Sequence, residues 1–423
     1  MNMRLNLRIL LVMSVVFIMA SCSDDMYFSM RSGSEGSSPA TKSGERTVTN
    51  NRRVMIFISG GKNSLYRYLQ SDMNDIKAGY LPTDFAGDDV LVVLHRNGSS
   101  VSSYAPTTLL WLYKDRFGNV VQDTLHKWGT GATPVFGGSI IEEALTIVKN
   151  RFPASSYGLV VSSHGSGYLP EGYYNSPREY DRIHPLSIGQ DVDGNKSVEM
   201  ELPAFYNSIP YHFDYILFDA CFMGGVETAY QLKDKADIIG FSQTEILAEG
   251  FDYKTITSRL LADNPDPVKV CQDYFDQYKD AEDMTYRSAT ISAVKTAEID
   301  NLAAVCKTLF QKYRTQIEKV NSENVQQYHR DPTSFYDGEP RPFFFDMRDI
   351  LVKSGVSDAD IAAFDEALAK VVVYKAYTEQ FMRSFKLENC CGLSMFLPNQ
   401  GSAILKNYYR NNIAWNAATE LVN

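Results

Sequence analysis

Cysteine is scarce in this chain, with six in 423 residues, too few for a scaffold built on disulfides. Histidine is as thin, also six, and His126, His184, His212 and His329 show no metal-ligand spacing. Positive charge falls short of negative: 41 Lys and Arg stand against 51 Asp and Glu. No basic face offsets the net charge of −10, which argues against nucleic acid as a partner. Fixed-period repeats are missing. A composition of 44% hydrophobic and 22% charged residues excludes collagen, coiled coil and wholesale disorder. What the chain does hold is length for more than one unit at ~150 residues each, and many Tyr and Phe, which read as packing residues.

The first segment reads as an address. Arg4 and Arg8 precede an apolar run from Ile9 to Ala20, too short to span a bilayer comfortably. It ends in Met19-Ala20-Ser21-Cys22, which resembles the lipobox of bacterial lipoproteins, with Met19 where leucine is more usual. The resemblance implies a signal peptide over 1–21 and a lipidated Cys22. Several acyl chains on one residue anchor stably, since each buried methylene contributes about 0.8 kcal/mol. A plain secretory signal is the alternative. Ser23-Asp24-Asp25 resembles the acidic export signal of some surface lipoproteins. The expected location is the cell envelope, lipid-anchored in the outer membrane with surface display open. Residues 22–52, rich in Ser, Gly and Thr, read as a flexible tether.

From Arg53 the pattern is that of an α/β fold with a mostly parallel sheet. Val54 to Ile58, Val90 to Leu94, Gly158 to Ser162, Phe213 to Phe218 and Ile238 to Ser242 are continuous apolar runs, the mark of strands buried on both faces. Leu65, Leu69, Met73 and Ile76 have helical spacing, and Ile140 to Val148, Leu202 to Ile209 and Gly225 to Lys233 fall between strands as helices. Leu109 to Tyr113 and Val120 to Leu125 flank Phe117-Gly118-Asn119 and predict a hairpin. These elements define a core over 53–252. The remainder, 253–423, reads as more helical, with a strand at Thr290 to Val294 and a late one at Gly392 to Pro398.

Two strand ends carry reactive residues. Val160-Val161-Ser162-Ser163-His164-Gly165 ends one strand, and Ile216-Leu217-Phe218-Asp219-Ala220-Cys221 ends another. In open α/β sheets, sites form outside the carboxyl ends of strands. Cysteine catalysis needs a thiolate and a nearby acid for the leaving amine. A lone cysteine after a strand is more often a buried small hydrophobe; a histidine and a cysteine, each at a strand end with glycine close behind, make a stronger pattern. The backbone N–H groups of Gly165 and Cys221 are candidates to hold an oxyanion.

Strand-His-Gly followed by strand-Asp-Ala-Cys resembles the clostripain family of cysteine peptidases, which share the caspase-like α/β fold with gingipains, legumains and caspases. Ser59 to Leu65 resembles the family's first strand-to-helix turn, although Gly61-Lys62-Asn63 stands where Asp-Asn-Asn is frequent. Gln243-Thr244-Glu245, then Gly250 to Tyr253, resemble its post-strand loop, and Gly392 to Pro398 a late strand. The resemblance covers Arg53 to the C-terminus. It implies Cys221 as nucleophile, His164 as general acid/base, and Asp219 as the acid at the base of a pocket for Arg or Lys. Glu245 and Asp252 are second-choice pocket acids. The implied activity is endopeptidase cleavage after basic residues, on protein or peptide substrates and without a required cofactor. A catalytically silent or differently specific surface lipoprotein that keeps the fold is the alternative. Family members often cut themselves between His and Cys, which here makes Arg178, Arg182 and Lys196 candidates.

Other motifs are weaker. Gly60-Gly61-Lys62-Asn63 lacks phosphate-loop spacing. Asp191-Val192-Asp193-Gly194-Asn195 is not an EF-hand, because Leu202 falls where the bidentate acid is needed. A non-EF calcium site or a polar turn both remain open there. Cys390-Cys391 lacks redox spacing, and Cys271 and Cys306 read as buried thiols or a disulfide.

Overall fold

Alternation along the first strand sets the architecture. Val54, Ile56 and Ile58 enter one apolar core, and Met55 and Phe57 the other, so the sheet is buried on both faces. The computed structural model describes residues 51–84, 88–96, 106–129, 134–171, 188–193, 196–262, 264–329 and 343–423. Residues from Val48 onward form one compact unit.

In chain order the elements are β1 (Arg53–Ser59), α1 (Tyr66–Ala78), β2 (Asp89–His95), the hairpin β3 (Thr108–Lys114) and β4 (Val120–Lys127), and α2 (Ile140–Arg151). Then come β5 (Ser156–Ser162), the hairpin β6 (Ile188–Asp193) and β7 (Lys196–Met200), α3 (Leu202–Asn207), β8 (Phe213–Asp219), α4 (Val226–Gln231) and β9 (Ala236–Phe241). The chain continues through α5 (Tyr253–Leu260), α6 (Pro267–Tyr278), β10 (Thr290–Lys295), α7 (Ile299–Lys319), β11 (Phe345–Asp346), α8 (Met347–Lys353), α9 (Asp358–Val371) and β12 (Val372–Tyr377). It closes with β13 (Gln380–Phe381), β14 (Phe385–Lys386), β15 (Ser394–Met395), α10 (Ala403–Asn412) and α11 (Ala414–Thr419).

The main sheet has nine strands in the order β12-β10-β9-β8-β5-β1-β2-β3-β4. Its central five, β9-β8-β5-β1-β2, are parallel, and antiparallel pairs extend both ends. This is the mostly parallel, helix-flanked sheet that the sequence predicts. The chain leaves β1 for β2 on one side and returns through β5 to β8 and β9 on the other. The reversal opens a crevice at the carboxyl ends of β1, β5 and β8.

Three details of the fold leave little trace in the local sequence. The stretch between His164 and Val198 contains β6, whose polar Gly-Gln-Asp run hides its strand character. The segment after Val371 forms β12, an edge strand whose pairing with β10 joins residues as far apart in sequence as Thr290 and Tyr377. The chain closes in two helices, α10 and α11, divided at Ile413, where the backbone turns extended.

Candidate active site

Strand register puts the two reactive residues level. Ser162 on β5 pairs with Asp219 on β8, so His164 and Cys221 each stand two residues beyond a matched pair. The Ser163 N–H donates to the Asp219 carbonyl at 3.3 Å, carrying the pairing one step further. Both residues line a cavity of about 270 Å³ that also takes in Asp219, Asp72, Glu245 and Met382.

The half-buried His164 ring is held by Ser64, whose Oγ lies 3.0 Å from Nε2. Ser64 comes from the turn after β1, so the ends of β1 and β5 meet at this imidazole. Beneath it, Ser163 Oγ donates to the Gly60 carbonyl at 2.7 Å, and Asn63 Nδ2 donates to Ser163 Oγ at 3.3 Å and to the Gln190 carbonyl at 3.0 Å. The His164 carbonyl accepts from the Gly189 N–H at 2.8 Å. Burial pushes the imidazolium down to about 4, so the ring is neutral at pH 7, with a nitrogen lone pair free but its basicity lowered.

Cys221 Sγ accepts from the Ile246 N–H at 3.4 Å and donates to the Ile246 carbonyl at 3.9 Å. Phe222 behind it has φ +60°, a left-handed conformation that costs a non-glycine residue about 1–3 kcal/mol. The strain is held from two sides. The Phe222 N–H donates to the Thr244 carbonyl at 2.9 Å. Its ring stacks on Phe344 at 4.6 Å and on His329 at 5.5 Å, both from the C-terminal part of the chain.

Gly165 is required by close approach: a Cβ there would sit 2.6 Å from the Cys221 carbonyl oxygen. Gly165→Ala must push the two loops apart. A misplacement of this size costs about 100-fold in turnover, and we expect that loss in kcat/KM. Wild-type activity in Gly165→Ala would show that this packing does not set the site.

Asp219 is buried at the back of the cavity. Its Oδ2 accepts from Tyr253 OH at 2.7 Å, and from the Phe251 N–H and Ser162 Oγ at 3.4 Å each. Gly250, at φ +60°, closes over it, where a Cβ would come within 2.2 Å of Oδ2. Burial raises the Asp219 carboxyl to about 6, against the pull of these hydrogen bonds.

Of the candidate acids, Asp219 and Glu245 thus share the Cys221 cavity. Asp252 caps α5, accepting from the Lys254 N–H at 3.1 Å and Thr255 Oγ1 at 2.8 Å, and lines a neighbouring hollow of about 510 Å³ instead. Cys22, Arg178 and Arg182 lie outside the described residues, as does the side chain of Lys196. Asp191 binds protein donors: Arg96 Nη1 at 2.6 Å, the Lys62 N–H at 2.9 Å and the Val135 N–H at 2.6 Å. Gly194 and Asn195 lie outside the described residues, among which no group of three or more His, Cys, Asp or Glu is placed to hold a metal. Cys271, Cys306, Cys390 and Cys391 are buried thiols without disulfides.

Sequence reasoning missed Ser64, Ile246, Phe222 and Asp72 as site residues. Only Asp72 left a signal: it falls on the buried face of α1, three residues after Leu69 and four before Ile76.

The family model for the clostripain family matches residues 56–420. Clostripain from Hathewaya histolytica is 24% identical over 323 residues, 64% of this chain and 58% of that protein. The chain therefore spans little more than half the length of this curated relative. A secreted C11 cysteine protease from Bacteroides thetaiotaomicron, solved with an irreversible peptide inhibitor, is 26% identical with a TM-score of 0.71, covering 88% of this chain and 99% of that one. An inactive zymogen C11 protease from Parabacteroides distasonis is 25% identical with a TM-score of 0.70 and the same coverage. A histidine and a cysteine level on adjacent strand ends, in a fold and sequence matched over most of the chain, place this protein in the clostripain family of cysteine peptidases.

Proposed function

We propose that the protein is an endopeptidase that hydrolyses peptide bonds after Arg or Lys, with Cys221 and His164 as a catalytic dyad. One observation carries the specificity: a buried carboxylate, Asp219, lies in the wall of the cavity that holds Cys221. Three hydrogen-bond donors hold Asp219 but none is charged; a guanidinium or ammonium supplies the missing counter-charge, and a neutral side chain leaves the buried carboxylate without one.

The chemistry follows from the neutral imidazole. His164 takes the Cys221 thiol proton as the sulfur attacks the scissile carbonyl carbon. The N–H groups of Gly165 and Cys221 donate to the resulting oxyanion. The imidazolium then protonates the leaving amine, the C–N bond breaks, and a thioester remains on Cys221. Water, giving its proton to His164, splits the thioester and restores the thiol. Ser64 holds the ring in place. No step calls for a cofactor.

A fluorogenic peptide panel with Arg, Lys, Asn or Asp at the cleaved position tests this reading. Cleavage confined to Arg and Lys is expected; turnover after Asn or Asp alone would replace the specificity, and no turnover at all would favour a silent binding protein.

The proposal extends to location and processing. Cys22 carries lipid, and residues 22–52 space the enzyme from the outer membrane. Labelling with a fatty-acid analogue should occur in the wild type and fail in Cys22→Ala. Self-cleavage after Arg178, Arg182 or Lys196 should give two bands on a denaturing gel for wild type and one for Cys221→Ala.

A further inference from the structure

The Cys221 cavity is also lined by α1 and the residue that caps it, which contribute Tyr68, Leu69 and Asp72, and Leu65. Asp72 exposes only 6% of its surface. Among the described residues it has no hydrogen-bond or ion-pair partner. It lines both the 270 Å³ cavity and the 510 Å³ hollow beside it, and so stands where the two meet. A buried carboxyl without donors is costly, and such groups are normally satisfied. Here protein donors are absent on the cavity side, where a substrate side chain would enter.

We propose that Asp72 is a second specificity-determining carboxylate, bonding the cationic end of the substrate's basic side chain together with Asp219. The inference rests on the reading that this pocket takes a basic side chain. Asp219 alone offers limited reach, because Tyr253, Ser162 and the Phe251 N–H all bond its Oδ2 and Gly250 closes over it. Asp72 faces the same space from α1 without such commitments. A guanidinium has five N–H donors in one plane, enough for carboxylates on two sides.

The electrostatics agree with this arrangement. Burial, then Asp219 and Asp75, raise the Asp72 carboxyl to about 9. Tyr253 and Tyr278 also feel its charge, from α5 and α6. A cation beside Asp72 favours its ionised form and offsets that shift.

The test compares peptides carrying Arg or citrulline, its neutral isostere, at the cleaved position, using the purified full chain. Asp72→Asn should lower the Arg-to-citrulline ratio of kcat/KM by about tenfold or more, mainly by raising KM for the Arg peptide. Citrulline turnover should stay within about twofold of wild type, which a merely structural role would not spare. Asp72→Ser must show the same fall. Gln70→Ala, an exposed neighbour on α1 that lines neither cavity, must leave the ratio unchanged. An unchanged ratio in Asp72→Asn or Asp72→Ser, with wild type still preferring Arg, would overturn the role of Asp72 alone. A wild type with no preference for Arg would instead remove the reading on which it rests.

Discussion

Cys221→Ala and His164→Ala should each lower peptide turnover by about four orders of magnitude or more, the scale on which dyad members act as a unit. Each loss removes one end of the same proton transfer, so the double variant should be no worse than either single one. Folding should survive both changes. Cys221 is half-buried and carries no disulfide, and Ser64 can turn to solvent when the imidazole is removed. Thermal unfolding at neutral pH should shift by no more than a few degrees, with the loss appearing in kcat. His164→Ala carries a second signature. Burial holds the folded-state imidazole at about 4, below its ordinary 6.5. Between those two values the unfolded chain binds more protons, so His164 costs wild type stability as the pH falls through that window. The alanine variant should therefore lose less of its melting temperature between pH 7 and pH 4 than wild type does. Equal losses would show that the ring is not held neutral by its surroundings.

Asp219→Asn should have the second largest effect, and on selectivity rather than on folding. Turnover of Arg and Lys peptides should fall by about 100-fold or more, because a cation is left in a buried pocket without its counter-charge. Neutral peptides should change little. The pH dependence has a definite sign. Cation binding needs the ionised carboxylate, so wild-type kcat/KM on Arg peptides should rise as pH passes the Asp219 value of about 6. That limb should disappear in Asp219→Asn. Stability should move the opposite way. The folded carboxyl titrates near 6 and the unfolded one near 3.8, so the folded state binds more protons between these values. Wild type then loses stability as pH rises through that window, and at neutral pH the asparagine variant should melt no lower than wild type. Tyr253 can still donate to the asparagine oxygen. A variant that keeps its basic preference would move the role to Glu245 or Asp72.

The parallel core was legible because burial on both faces writes itself as unbroken apolar runs: Val54 to Ile58 and Phe213 to Phe218 could hardly be anything else. The pair proposed as catalytic stood out for the same reason, since His164 and Cys221 each lie a few residues beyond such a run. The rest of the site depends on contacts between distant segments. Ser64 meets His164 across 100 residues, and no local pattern announces it. Phe222 is strained because Phe344 and His329 stack on its ring, a condition set more than a hundred residues downstream. β12 was hidden by running directly on from α9, with burial that alternates only weakly at the sheet edge. Asp72 is the instructive case: an acid on the apolar stripe of an amphipathic helix was visible in the sequence, and its meaning appeared only when Asp219 was found across the cavity.

The central claim is that Cys221 is the nucleophile of a pocket that recognises a basic side chain. The most direct measurement is intact-protein and peptide mass spectrometry after incubation with a peptide ending in Arg and a thiol-reactive acyloxymethyl ketone. The account predicts one adduct per chain, located on Cys221, absent in Cys221→Ala and slowed when the Arg is replaced by citrulline. Labelling of another cysteine in place of Cys221, or equal rates with the neutral peptide, would contradict it.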